Sequence, residues 1–223
     1  MRRSALFSIV DGACLIMRPM KNITLAFLLV ALIIFPLRTT CADSSAIVGS
    51  YAPDFQLQDA SGAEISLRQF RGKPVVLEWF NARCPFVQKF YRGGDMPHFQ
   101  KQATEKGAIW LTINSSSQGK LGHLTPEQAL EITKSLGMNS TALLLDPTST
   151  VARLYGARIT PHLFVIDAVG ILAYQGAIDN VPSTDSSDIA GATNYVLAAL
   201  AALAANNPVL PSSTEPYGCS VKY

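Results

Sequence analysis

Hydrophobic positions along this chain either alternate with polar ones or bunch into short runs, and the two patterns follow each other in a definite order. Residues 53–66 alternate, with Phe55 and Leu57 set between polar neighbours and Asp59 to Gly62 supplying a turn, which predicts a β-hairpin. Residues 74–80 (PVVLEWF) form a bunched apolar run rich in β formers, so a buried strand is expected there. A helix should open at Pro85, because proline is favoured in a first turn, break at Gly93-Gly94 and resume over 95–106. Residues 108–113 predict a second core strand, and Thr125-Pro126-Glu127-Gln128 opens a helix in the manner of a capping box. Strand and helix follow at 141–145 and 148–155. Residues 163–167 and 171–174 then read as a hairpin around Ala168-Val169-Gly170. An alanine-rich helix is expected over 189–205, ahead of a Pro/Ser-rich tail from Asn206. Strands alternating with helices predict a three-layer α/β domain over 43–205, with the tail occupying 206–223. There is no internal repeat and no second core.

Composition narrows the class. A chain of 223 residues that is 48% hydrophobic and 15% charged suits one globular domain and excludes a disordered one. The formal charge of +2 is unevenly spread. Residues 1–42 hold five basic residues and one acid, which leaves 13 basic and 15 acidic residues beyond them. A weakly acidic body without Lys/Arg runs gives no electrostatic case for a nucleic-acid partner. Residues 23–35 (ITLAFLLVALIIF) carry no charge, follow basic residues, and are ended by Pro36, with small residues at Thr40-Cys41-Ala42. These are the parts of a secretory signal peptide over 1–42, the alternative being an uncleaved N-terminal anchor. Either reading exports the domain, to a periplasmic or secreted location. Cleavage removes Cys14 and Cys41 and leaves Cys84 and Cys219. Two cysteines in an exported protein make a disulfide the default expectation, worth roughly 5 kcal/mol as a plain staple across so long a loop.

The surroundings of Cys84 point to chemistry as well. Cys84-Pro85 falls at a strand-to-helix junction, where free amide N–H groups and the helix dipole favour an anion and so stabilise a thiolate. Arg83 adds a positive charge next door. Glu78 lies inside the apolar strand, where a carboxyl turned toward the core is costly, has a raised pKa and can trade protons; the alternative is an outward-facing edge residue. Thr160-Pro161 directly precedes a core strand, a place for a cis bond in a tight turn or for an ordinary trans proline.

Several segments carry a family resemblance. APDFQLQDASGAEISLRQFRGKPVVLEWF resembles the opening of redoxin domains, the thioredoxin-like group that includes peroxiredoxins and membrane-tethered thiol–disulfide reductases. WFNARCPFV is similar to the thioredoxin active-site segment, with Cys84 at the first position of Cys-x-x-Cys. YGARITPHLFVID is similar to the cis-proline segment. The tail EPYGCSVKY resembles the Gly-Cys-Ser-[Val/Ile]-Lys ending of peroxiredoxin-like redoxins. The resemblance implies a thioredoxin-like fold, a central mixed β-sheet flanked by helices with an N-terminal β-hairpin. It also implies Cys84 as nucleophile with Thr160 and Pro161 beside it, Glu78 at the buried acid position, and Cys219 as resolving thiol. The departures matter. Val87 replaces the second cysteine of Cys-x-x-Cys, Leu77 and Asn81 replace the peroxiredoxin proline and threonine, and the peroxide-orienting arginine position falls on Pro161, with Arg158 the nearest substitute.

The expected activity is therefore that of a thiol oxidoreductase without a cofactor. Its partner is a thiol reductant, a disulfide-bearing protein or a peroxide, and the thiols pair within one chain or across a homodimer. A redox-inert binding module with a permanent Cys84–Cys219 staple is the rival reading. His98, His123 and His162 show no metal-ligand spacing, though His162 is a candidate for the active-site groove. Lys222 beside Cys219 reads as a solvated lysine.

Overall fold

The apolar run at 74–80 becomes the centre of the sheet. The computed structural model describes residues 46–223, so the expected signal peptide at 1–42, with Cys14 and Cys41, lies outside the described residues. In chain order the elements are β1 (Gln56–Asp59), β2 (Glu64–Ser66), β3 (Val75–Trp79), α1 (Pro85–Arg92), α2 (Asp95–Glu105), β4 (Ile109–Asn114) and α3 (Pro126–Ser135). They continue with β5 (Ala142–Leu145), α4 (Thr150–Tyr155), β6 (Ile159–Thr160), β7 (His162–Ile166), β8 (Leu172–Gly176), α5 (Tyr195–Ala204) and β9 (Cys219–Ser220). Seven strands form a mixed sheet in the order β2-β1-β5-β4-β3-β7-β8. β3 is parallel to β4 and antiparallel to β7, and all five of its residues are buried. A strand covered on both faces cannot alternate, which is why its sequence reads as a continuous apolar run.

The two faces carry separate cores. Val76, Phe80, Trp110, Leu163 and Val165 pack with Val87, Phe90 and Met96 of α1 and α2 and with Val196 and Ala199 of α5. Val75, Leu77, Trp79, Leu111, Phe164 and Ile166 pack with Phe55, Leu67 and the α4 residues Val151, Ala152 and Tyr155. The thioredoxin-like α/β architecture expected from the sequence is the one observed, with the N-terminal hairpin joined to the sheet through β5. The capping box at Thr125 is present, its hydroxyl accepting from the Gln128 N–H.

One element differs. The helix expected over 189–205 is two pieces, a 3-10 turn at Ser186–Gly191 and α5. The Asn194 side chain accepts from the Leu197 N–H, so it starts a new helix and its own backbone stays extended. Among the described residues, no helix is long and apolar enough to cross a membrane.

Candidate active site

β3 delivers the chain to the site and Asn81 bends it. The Asn81 side-chain oxygen accepts from the Arg83 N–H at 2.8 Å, its amide donates to Leu121 O at 3.1 Å, and its carbonyl accepts from the Cys84 N–H at 3.0 Å. This Asx turn sets Cys84 as the cap of α1, with Pro85 in the first turn as the sequence leads one to expect. The Val87 and Gln88 amides fold back onto the Cys84 carbonyl at 3.0 and 2.9 Å. Asn81 was read in the sequence only as a departure from a peroxide motif; its structural signal was the Asn-x-Arg turn itself.

The thiol of Cys84 is 2% exposed and donates to the Thr160 carbonyl at 3.1 Å. The Thr160-Pro161 bond is cis. Thr160 pairs with Cys219 in the short β6–β9 ladder, and its hydroxyl donates to Cys219 O at 3.4 Å. Cys84 and Cys219, far apart in sequence, are both free thiols here, and Thr160, whose carbonyl accepts from Cys84, is the residue that faces Cys219. Burial, then the hydrogen bond and charge of Cys84, push the Cys219 thiol up to about 12, and the Lys222 charge only partly offsets this.

The sequence suggests a tail with reach and mobility, yet its course is specified residue by residue. Thr214 N–H donates to Gln175 O at 3.1 Å, and its hydroxyl accepts from the Ala177 N–H at 3.0 Å. The Tyr217 hydroxyl donates to Asp179. Past Cys219, Val221 N–H reaches Arg158 O at 2.8 Å, and Ser117 N–H reaches Lys222 O at 2.9 Å. Proline and serine content signals the absence of regular structure, not the absence of partners. Lys222 donates to Ser220 Oγ at 3.1 Å.

Glu78 points inward, onto the same face as Val76 and Phe80, and is fully buried. Tyr91 donates to one carboxylate oxygen at 2.8 Å; Trp110, Gln100 and Thr112 donate to the other at 2.8, 3.1 and 3.1 Å. Burial raises its pKa, and these hydrogen bonds hold the rise down. Neither sulfur is among its hydrogen-bond partners. Arg83 is exposed on the rim of a cavity of about 580 Å³ floored by Phe80, Val87 and Leu124. Arg158 is exposed. Among the described residues no group of three His, Cys, Asp or Glu side chains could hold a metal ion.

His162 does not line the groove. Strand alternation turns it to the other face of the sheet, opposite Trp79 in the register and stacked on Phe164 with ring centroids 4.4 Å apart. Its Nδ1 is buried without a hydrogen-bond partner, and burial pulls its pKa from 6.5 down to about 4. Between those values the unfolded chain binds the proton and the folded one does not, so this residue's contribution to stability is whole above pH 6.5 and is lost as the pH falls toward 4. The loss amounts to about 3 kcal/mol. Denaturant titrations of H162L and the parent protein at pH 7 and pH 4 should show the acid-induced loss reduced by about that amount in the variant.

The comparisons with known proteins agree with this geometry. Residues 48–175 match the model of the AhpC/TSA family. The thiol-disulfide oxidoreductase ResA of Geobacillus thermodenitrificans is 30% identical, over 68% of this chain and 82% of its own. A Helicobacter pylori protein named as a peroxiredoxin, bcp, is 29% identical over 59% of this chain and 84% of its own. The crystal structure of an uncharacterised conserved protein from Geobacillus kaustophilus superposes with a TM-score of 0.67 at 26% identity, covering 79% of this chain and 92% of that one. The fold thus brings together Cys84 at a helix cap, the cis Thr160-Pro161 bond and Cys219 on β9. The chain belongs to the AhpC/TSA family and is a thioredoxin-fold oxidoreductase.

Proposed function

We propose that the protein is an exported thiol–disulfide exchange enzyme with Cys84 as nucleophile and Cys219 as resolving thiol of the same chain. The observation that carries this reading is the Cys84 thiol on the Thr160 carbonyl, with Cys219 paired to Thr160 across β6 and β9. Cys84 as thiolate attacks one sulfur of a substrate disulfide, forming a mixed disulfide and releasing the other half as a thiolate, which takes a proton. Cys219 then loses its proton and attacks the Cys84 sulfur, forming Cys84–Cys219 and releasing the second thiol. A thiol reductant returns the pair to the dithiol.

Burial is the first cause that keeps Cys219 protonated, and the next two support this order of the steps. Two of the causes that keep Cys219 protonated come from Cys84, and both disappear once Cys84 is consumed in the mixed disulfide. Burial of Cys84 means that attack on an external disulfide requires β9 to lift from β6, a ladder of only two residue pairs. A peroxide is less well served. Its departing oxygen needs hydrogen-bond donors, whereas the group on the Cys84 sulfur is a carbonyl, an acceptor. The apolar leader expected over 1–42 supports export to a compartment where disulfides persist.

Reduced protein mixed rapidly with glutathione disulfide, followed by Trp79 and Trp110 fluorescence and by peptide mass, tests the reading. Fast formation of the Cys84–Cys219 bond is expected. C219S should stop at glutathione attached to Cys84 and lose turnover by about a hundredfold or more. Oxidation by hydrogen peroxide far faster than that of a free thiol would make the protein a peroxidase instead. A Cys84–Cys219 bond that no thiol reduces would make it a redox-inert module.

A further inference from the structure

Between α1 and the tail lies a buried ion pair that the exchange chemistry does not use. Lys89 Nζ sits 3.5 Å from Asp179 Oδ2, with side chains 0% and 3% exposed. The ammonium also donates to Val181 O at 3.0 Å and lies 5.9 Å from the centre of the Tyr217 ring. Asp179 Oδ1 accepts from the Tyr217 hydroxyl and from the Val181 N–H at 2.9 Å. Phe86, on the same helix, meets the Tyr217 ring edge to face at 5.8 Å.

The placement is what gives this cluster meaning. Lys89 is five residues beyond Cys84 on α1, Asp179 follows β8, and Tyr217 is two residues before Cys219 with only Gly218 between them. Taking a lysine and an aspartate out of water costs several kcal/mol per ion, and an apolar replacement often matches or exceeds the stability of such a pair. Fixing one register is the best-attested use of a buried ion pair. Here the register fixed is that of the tail against the helix that carries the nucleophile.

We propose that Lys89, Asp179 and Tyr217 form a clasp that anchors the tail beside α1 and thereby sets how strongly Cys219 pairs with Cys84. They are positioning residues, and the proposal rests on the reading of Cys84 and Cys219 as an exchanging pair. The Tyr217 anchor holds the chain on one side of Gly218, while the Val221 and Lys222 backbone bonds hold it on the other. Cys219 is thereby brought back to Cys84 when β9 settles on β6 again, and the clasp sets its effective concentration there. Loosening it lowers that concentration, so the disulfide forms less completely at a given glutathione potential.

The test equilibrates the full chain in glutathione redox buffers at pH 7 and reads the fraction of Cys84–Cys219 bond by alkylation and peptide mass. In Y217F the equilibrium constant for the bond is expected to fall about tenfold, which for a two-electron couple is an upward shift of about 30 mV. K89M/D179L, which removes the pair without leaving a charge alone, should shift it in the same direction. In a C219S background, the pH midpoint for alkylation of Cys84 should be the same with and without Y217F. Equal equilibrium constants in parent and Y217F would overturn the assignment. So would a displaced alkylation midpoint, which would mean that the cluster acts on α1 and Cys84. A parent protein whose thiols do not equilibrate with glutathione at all would instead bring down the exchange reading, and the clasp's role with it.

Discussion

Replacing Gly218 with alanine is expected to separate the two cysteines, cutting the rate of Cys84–Cys219 bond formation by about a hundredfold. Gly218 has φ +143°, a conformation that side chains rarely adopt. A Cβ built there lies 2.1 Å from the Thr160 carbonyl oxygen and 2.8 Å from its carbon. Both are backbone atoms, so no side chain can swing away to make room. That oxygen is the one that accepts the Cys84 thiol, and Thr160 is the β6 residue that faces Cys219. Either β9 retreats or the cis-proline turn shifts, and either movement takes the second sulfur out of line. Quenched rapid mixing with glutathione disulfide should show the mixed disulfide on Cys84 persisting in G218A. The seven-stranded sheet does not include β9, so the thermal unfolding of reduced protein should change far less than the rate. An unchanged rate would mean that the tail tolerates more displacement than this packing suggests.

The second large effect concerns Glu78 and stability. Removing its carboxyl in E78A strands Tyr91, Gln100, Trp110 and Thr112 donors in a fully buried site, and should cost about 4 kcal/mol. E78Q keeps an acceptor oxygen for Trp110, Thr112 and Gln100, and its amide faces the Tyr91 oxygen, so the cost should be about 1 kcal/mol. Urea titration of both variants measures this directly. Exchange kinetics of E78Q then separate two roles. An acid that only holds β3, β4, α1 and α2 together leaves the rate near the parent value, because the remaining acceptor keeps the scaffold. A group that relays a proton to the cysteines loses rate out of proportion to the stability change.

Sequence patterning located almost every strand because the central ones are buried on both faces, and apolar runs such as 74–80 and 108–113 have no other use in a domain of this size. The active-site junction was legible for the same local reason: Cys84-Pro85 follows a core strand directly. The outcome at Glu78 was not, since alternation cannot choose a face when both are buried; only the donors from Tyr91, Gln100, Trp110 and Thr112 decide it. His162 shows the same difficulty with the opposite result. It neighbours the cis-proline in sequence, and one step of pleat sends it to the other side of the sheet. The tail was legible through its Gly-Cys-Ser-Val-Lys residues but not through its composition. Its order comes from partners such as Gln175, Asp179 and Arg158, which are distant in sequence. The Lys89–Asp179 pair left no sequence signal at all, because two opposite charges 90 positions apart become informative only after folding.

Because the second sulfur rides on β9, after every strand of the main sheet has been made, the pair can be assembled only by a chain that has grown past Cys219. A nascent or truncated molecule that has formed β3 and α1 presents Cys84 without its partner, and any bond it makes is with a stranger. Closing a loop of this length early would cost entropy that only the completed sheet repays. On the proposed reading, intramolecular oxidation is thus a certificate of a completed sheet, and a population could be sorted into folded and unfolded fractions by this bond alone.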